Sequence, residues 1–249
     1  METVEVLGVP VARLTAAAAR QELVRLYERD RPALVAYANA HTLNLASRDS
    51  GYREVLRSAD IVLNDGAGLA IAGRVFGRPF PENLNGSDFN PAILEEAAAR
   101  GWPVYFLGAK PGVAEEASRR LSERIPGLRV AGTRDGYFAP SESDEVARSI
   151  AEAGAGVLMV AMGNPLQEMW LKRHLEATGA RLGVGVGAFL DFTAGVVPRA
   201  PAWMNKLGIE WVYRLLQEPR RMWRRYVLGN PLFLARVLAQ RVARGKTDE

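Results

Sequence analysis

The sequence predicts an α/β fold: a largely parallel sheet with helices on both faces, followed by a basic helical appendage. Three observations lead there. Short apolar runs alternate with longer helix-forming stretches, several runs are apolar at nearly every position, and the strand-like pattern stops near Pro201. A strand apolar on both sides suits a parallel sheet buried between two helical layers better than a half-exposed antiparallel one.

The elements follow in order. TVEVLGVPVA from Thr3 reads as a small hairpin, with Gly8 and Pro10 marking its turn. Strands follow at LVAYA from Leu34, IVLN from Ile61, VYFLG from Val104, LRVAG from Leu128, VLMVAMG from Val157 and LGVGVG from Leu182. Between them TAAAARQELVRLYERD, DFNPAILEEAAARG, GVAEEASRRLSERIPG and SESDEVARSIAEAG join good helix formers to polar caps and Gly or Pro stops. The order β-α-β-α makes the body, residues 1–199, Rossmann-like. In residues 200–249, Pro219 and the Gly229, Asn230, Pro231 turn divide the chain into about three helices.

Composition narrows the chemistry. The chain of 249 residues is 48% hydrophobic and 24% charged, as a folded protein with one sizeable core should be. It has no cysteine, which removes disulfides, thiolate zinc sites, iron–sulfur ligation and cysteine nucleophiles. METVEVLGVPVARL lacks the pattern of a signal peptide, and no uncharged apolar run approaches the roughly 20 residues needed to span a bilayer, so neither secretion nor spanning is expected. The net charge of +4 is too small to suggest a nucleic-acid partner, but it is unevenly placed. Residues 200–249 hold ten Lys or Arg against four Asp or Glu, a net of +6, which leaves −2 on residues 1–199. Trp203, Trp211, Trp223, Leu228, Phe233 and Leu234 accompany these cations, a mixture suited to adsorption on an anionic membrane surface. Packing of the tail onto the body would use the same residues.

In an open parallel sheet, ligands bind beyond the carboxyl ends of the strands. The polar groups there are Asn39 and His41, Asp65 and Gly66, Gly108 to Gly112, Asn164 to Glu168, and Asp191. Asp65 reads as a general base or as the cap of the next helix. Asn39 would orient a hydroxyl or cap its own helix, and His41 is equally ambiguous. Tyr137 in GTRDGYFAP offers an aromatic platform or a packing group. Gln167 and Glu168 line a crevice or cap a first turn, and His174 reads as structural. Gly183, Gly185 and Gly187 approximate a dinucleotide fingerprint only loosely. The absence of a P-loop lysine motif, HExxH and Asp-x-Asp favours a site without metal.

These segments resemble the WecG/TagA/CpsF family of bacterial glycosyltransferases over essentially the whole chain. The resemblance lies in ANAHTLNLASRD, ADIVLNDGAGLAIAGR, NGSDF, VYFLGAKPGVAEEA, GTRDGYF, VAMGNPLQEMW, GVGAFLDFTAGVVPRAPAW and GIEWVYRLLQEPRRMWRRY. It implies transfer from a UDP-sugar, commonly N-acetylmannosamine, to undecaprenyl-diphosphate-linked GlcNAc in teichoic acid or other surface-polymer synthesis. It implies an inverting displacement with Asp65 as base, Asn39 beside it and Gln167 lining the sugar-nucleotide pocket. Gly108, Tyr137 and Asp191 are then donor contacts, the last two to uridine. No cofactor beyond the donor is expected. Arg214, Arg221 and Arg224 would meet the departing diphosphate and also face lipid, which places the enzyme peripherally at the cytoplasmic face of the membrane. A homo-oligomer is compatible with the pattern. One position departs: Asn83 stands where many relatives have arginine, which leaves UDP-glucose transfer open and raises Arg78 as a compensating cation. Two other readings are a membrane-recruited binding protein without activity and a dinucleotide-dependent oxidoreductase.

Overall fold

The computed structural model describes residues 1–201, 204 and 209–245, apart from the Arg221 side chain. Strands β1 (Thr3–Val6) and β2 (Val9–Ala12) form the expected hairpin, with Val6 opposite Val9. Its turn, however, is Leu7-Gly8, both at positive φ (50° and 80°), and Pro10 lies within β2 opposite Glu5. A two-residue turn of this kind matches the strand twist, and a two-stranded ribbon leaves outer edges where a missing N–H is tolerated.

The six other strands form one parallel sheet. They are β3 (Ala33–Ala38), β4 (Ile61–Asn64), β5 (Val104–Gly108), β6 (Val130–Arg134), β7 (Val157–Ala161) and β8 (Leu182–Gly185), in spatial order β4-β3-β8-β7-β5-β6. Every residue of β3, β4, β5, β7 and β8 is buried, whereas the edge strand β6 is half-exposed. One face is covered by α1 (Ala16–Tyr27), α5 (Gly86–Arg100), α6 (Val113–Arg124) and α9 (Phe189–Thr193), whose Leu23, Ile93, Leu121 and Leu190 share a core with Val35, Phe106 and Met159. The other face carries α2 (Ala40–Ala46), α3 (Ser50–Arg57), α4 (Ala67–Val75), α7 (Ser143–Glu152) and α8 (Leu166–His174), together with the hairpin. The arrangement is the Rossmann-like α/β fold expected. A β-carbon on Gly183 would stand 2.6 Å from Leu171 and 2.7 Å from Leu175. That glycine lets the α8 segment approach the sheet; it is not part of a dinucleotide loop.

Beyond the body come α10 (Glu210–Gln217), α11 (Pro219–Trp223), a π-helical turn (Arg224–Leu228) and α12 (Gly229–Gly245). Gly229-Asn230-Pro231 does not divide the tail as expected. The wide turn has already shifted the hydrogen-bond ladder, Gly229 N–H donating to Arg224 O, and Pro231 sits in the first turn of α12, where its missing N–H is tolerated. Phe233 and Val237 of α12 are fully buried among Leu43, Leu69 and Ala72. Polar contacts reinforce this: Asn44 Nδ2 donates to Gly229 O (2.7 Å), Arg236 to Asn44 Oδ1 (2.7 Å), and Leu7 N to Gln240 Oε1 (2.9 Å). Among the described residues no helix is long and apolar enough to cross a membrane. Trp203, counted above with the lipid-facing aromatics, lies outside the described residues.

Candidate active site

A cavity of about 630 Å³ opens beyond the carboxyl ends of β4, β3, β8 and β7, bounded by the start of α5 and by the tail. Asp65 follows β4, its N–H bonded to Ala38 O (2.8 Å), and Asn39 Nδ2 donates to its Oδ2 (3.0 Å). Asn39 also caps α2, its Oδ1 accepting from Thr42 N (3.0 Å) and Thr42 Oγ1 (3.1 Å). The cap therefore fixes the amide with its NH2 toward Asp65, and the two roles weighed for Asn39 coexist. Asp65 does not cap α4: Gly66 occupies that position at φ 85°, a conformation that favours glycine.

Asn83, the position that departs from the resemblance, accepts the Gly66 N–H on Oδ1 (2.8 Å). Arg78 does not compensate in the cavity; it pairs with Glu2 beside Arg13. Among the described residues, the cations in the cavity wall come from the tail. Arg214 of α10 and Arg225 of the π turn line it, with Glu210, Trp211 and Tyr226.

Burial pushes the Asp65 carboxyl above its ordinary range, while the Asn39 hydrogen bond and the charges of Arg225 and Arg214 oppose that shift. Burial, aided by Arg225, lowers His41 to about 4, so the imidazole is neutral at pH 7. Glu210 is raised by burial and by the Asp65 charge, against Arg214. A carboxylate able to take a proton thus shares one cavity with two fixed positive charges.

The nominated residues divide. Asn39, His41, Asp65, Gln167 and Arg214 line the cavity; Gly108, Tyr137, Asp191 and Arg224 stand outside its lining. Gly108, at φ 126°, has a packing reason of its own: a β-carbon there would lie 2.5 Å from the Ala161 backbone. Tyr137 is 70% exposed in the loop after β6. Asp191 is on α9 between the cavity-lining Phe189 and Phe192. Arg224 lies over the Trp223 ring, 5.4 Å from its centroid, and the Arg221 side chain is outside the described residues. His174 packs against Trp170 and meets Asp144 at 3.3 Å, away from the cavity. Spacing from Arg221 lets either Arg224 or Arg225 share its face, and of the two it is Arg225, not the nominated Arg224, that lines the cavity.

Asn39→Ala removes both the cap, worth about 1 kcal/mol, and the bond that favours ionised Asp65. The acid limb of turnover is then expected to move to higher pH, measured as a pH–rate profile; an unmoved limb would separate Asn39 from the base.

A buried carboxylate at a strand end that shares its cavity with two arginines is an arrangement suited to a group-transfer enzyme. The chain belongs to the glycosyl transferase WecG/TagA/CpsF family, whose model matches residues 4–247, and is a glycosyltransferase. It is similar to the N-acetylglucosaminyldiphosphoundecaprenol N-acetyl-beta-D-mannosaminyltransferase of Bacillus spizizenii, at 32% identity over 219 residues, 88% of this chain and 84% of that one.

Proposed function

We propose that this enzyme transfers N-acetylmannosamine from a UDP-sugar to undecaprenyl-diphosphate-linked GlcNAc, with inversion and without a metal ion, in the synthesis of teichoic acid or a related surface polymer. The single observation that carries the reading is Asp65, oriented by Asn39, in a cavity whose cations are Arg214 and Arg225. Asp65 takes the proton of the acceptor hydroxyl as that oxygen attacks the anomeric carbon. The bond to the diphosphate breaks on the opposite face, and the arginines neutralise the charge that develops there. Uridine lies toward Gly108, Tyr137 and Asp191, near the β5–β7 junction where the strand order reverses. Arg224, beside the exposed Trp223, meets the lipid diphosphate or the headgroups around it.

A peripheral membrane position on the cytoplasmic side follows from the acceptor. Leu216, Trp223, Val227 and Leu228 are exposed beside Arg220 and Arg224, a surface suited to an anionic interface. Asn83 supports a second donor reading, UDP-glucose, because its neutral amide is spent on the Gly66 N–H. A panel of UDP-ManNAc, UDP-GlcNAc and UDP-glucose against polyprenyl-diphosphate-linked GlcNAc, run with and without EDTA on anionic vesicles, tests all of this. Transfer of ManNAc that survives EDTA and yields the β product is the expected result. Preference for glucose would replace the donor, and hydrolysis without transfer would remove the acceptor.

A further inference from the structure

Glu168 is the most deeply buried carboxyl near the cavity, fully shielded from solvent, and the mechanism above does not use it. Its Oε1 accepts from Asn164 Nδ2 (2.6 Å) and Gln167 Nε2 (2.7 Å), and its Oε2 from the Tyr52 hydroxyl (3.1 Å). All three partners donate. Only an NH2 group can face a carboxylate oxygen, so Glu168 dictates which way both amides point. For Gln167 the orientation is reinforced: its Oε1 accepts from Gly163 N (3.1 Å) and Gly187 N (3.0 Å), joining the loops after β7 and β8. With both lone pairs of Oε1 and one N–H engaged, Gln167 has a single N–H to offer the cavity it lines.

Asn164 also lines the cavity, and its Oδ1 has no partner among the described residues. The sheet is shaped around this cluster. A β-carbon on Gly185 would stand 2.9 Å from Gln167 Nε2 and 3.1 Å from Glu168 Oε1, which accounts for the second glycine of the GVGVG strand.

We propose that Glu168 is a positioning residue that locks the amides of Asn164 and Gln167, so that Asn164 presents its carbonyl oxygen to a hydroxyl or amide N–H of the bound sugar nucleotide. The inference rests on the sugar-nucleotide reading for its ligand but not for its geometry. Glu168 is faced by Tyr52 from α3, Asn164 from the β7–α8 loop, Gln167 from α8 and Gly185 from β8; Tyr52 is the titratable group among them and none is a cation. Burial, outweighing these hydrogen bonds, lifts the carboxyl to about 7. As pH falls through that value the acquired proton turns one acceptor into a donor, and the lock on Asn164 weakens.

Two measurements test this. In the unliganded protein, the side-chain amide NMR signals of Asn164 and Gln167 are expected to titrate together near pH 7, and not to titrate in Glu168→Gln, which mimics the protonated acid. UDP-ManNAc binding at pH 8, followed by calorimetry in Asp65→Asn to prevent turnover, is expected to weaken about tenfold in Glu168→Gln and in Asn164→Ala. The double variant should be no weaker than either single one, because both changes remove the same hydrogen bond. Amides that ignore Glu168, or additive losses in the double variant, would overturn the proposal. If Asp65→Asn binds none of the UDP-sugars while the amides still titrate together, the sugar-nucleotide reading falls, and with it the ligand named here.

Discussion

Asp65→Asn is expected to lower sugar transfer by about 10²- to 10⁴-fold, the range that a positioned general base contributes, while UDP-sugar affinity stays within a few fold. The substitution is isosteric, and Asn39 Nδ2, 3.0 Å from Oδ2 in the native protein, finds an amide oxygen in the same place. Folding disfavours the ionised Asp65 because burial outweighs its hydrogen bond and the two arginine charges. Removing that charge should therefore leave the thermal midpoint unchanged or raised. Turnover with the correct donor and acceptor, compared with calorimetric binding of the donor, separates the chemical role from the binding role. Unchanged turnover would remove Asp65 as the base.

Phe233→Ala is expected to weaken docking of the tail by about 3–5 kcal/mol, the usual penalty for emptying a buried aromatic site. Phe233 is fully buried, and its ring runs over Gly68, where an added β-carbon would be 3.4 Å away. Residues of the Phe106 core on the far face of the sheet do not touch it, so the body should stay folded. Release of the tail would withdraw Arg214 and Arg225 from the cavity and lower turnover by about 10²- to 10³-fold, the scale of a lost transition-state charge contact. Limited proteolysis would report the freed tail alongside the activity. Full turnover with a cleavable tail would show that its arginines are dispensable.

Much of the fold could be read from pattern because parallel strands buried on both faces are apolar throughout, and β3, β4, β5, β7 and β8 have no exposed position. The errors came where local punctuation met a tertiary alternative. Pro10 reads as a turn residue, yet a ribbon edge accepts it; Gly229 to Pro231 reads as a break, yet a π turn and the burial of Phe233 carry the helix through. At the site, Asp65 and Asn39 were legible as polar groups at the ends of apolar strands. The choice between Arg224 and Arg225 was not, since adjacent residues of one turn are told apart only by what packs on each side of it. Glu168 was legible as a polar group lining a crevice or capping a first turn, and only the approach of Tyr52 from α3, 116 positions earlier in the sequence, makes it the centre of a buried polar cluster.

The sequence by itself determined the parallel sheet, the row of polar groups at its carboxyl edge, the family and the basic end of the chain. Periodicity, strand-end position and charge are properties of neighbouring residues and need no fold to be seen. Tertiary structure alone decided which arginines share a cavity with Asp65, that α12 packs onto the hairpin, α2 and α4, and which way the amides beside Glu168 point. Those outcomes depend on groups far apart in the chain whose spacing, burial and hydrogen bonds exist only once the sheet and the tail have packed together.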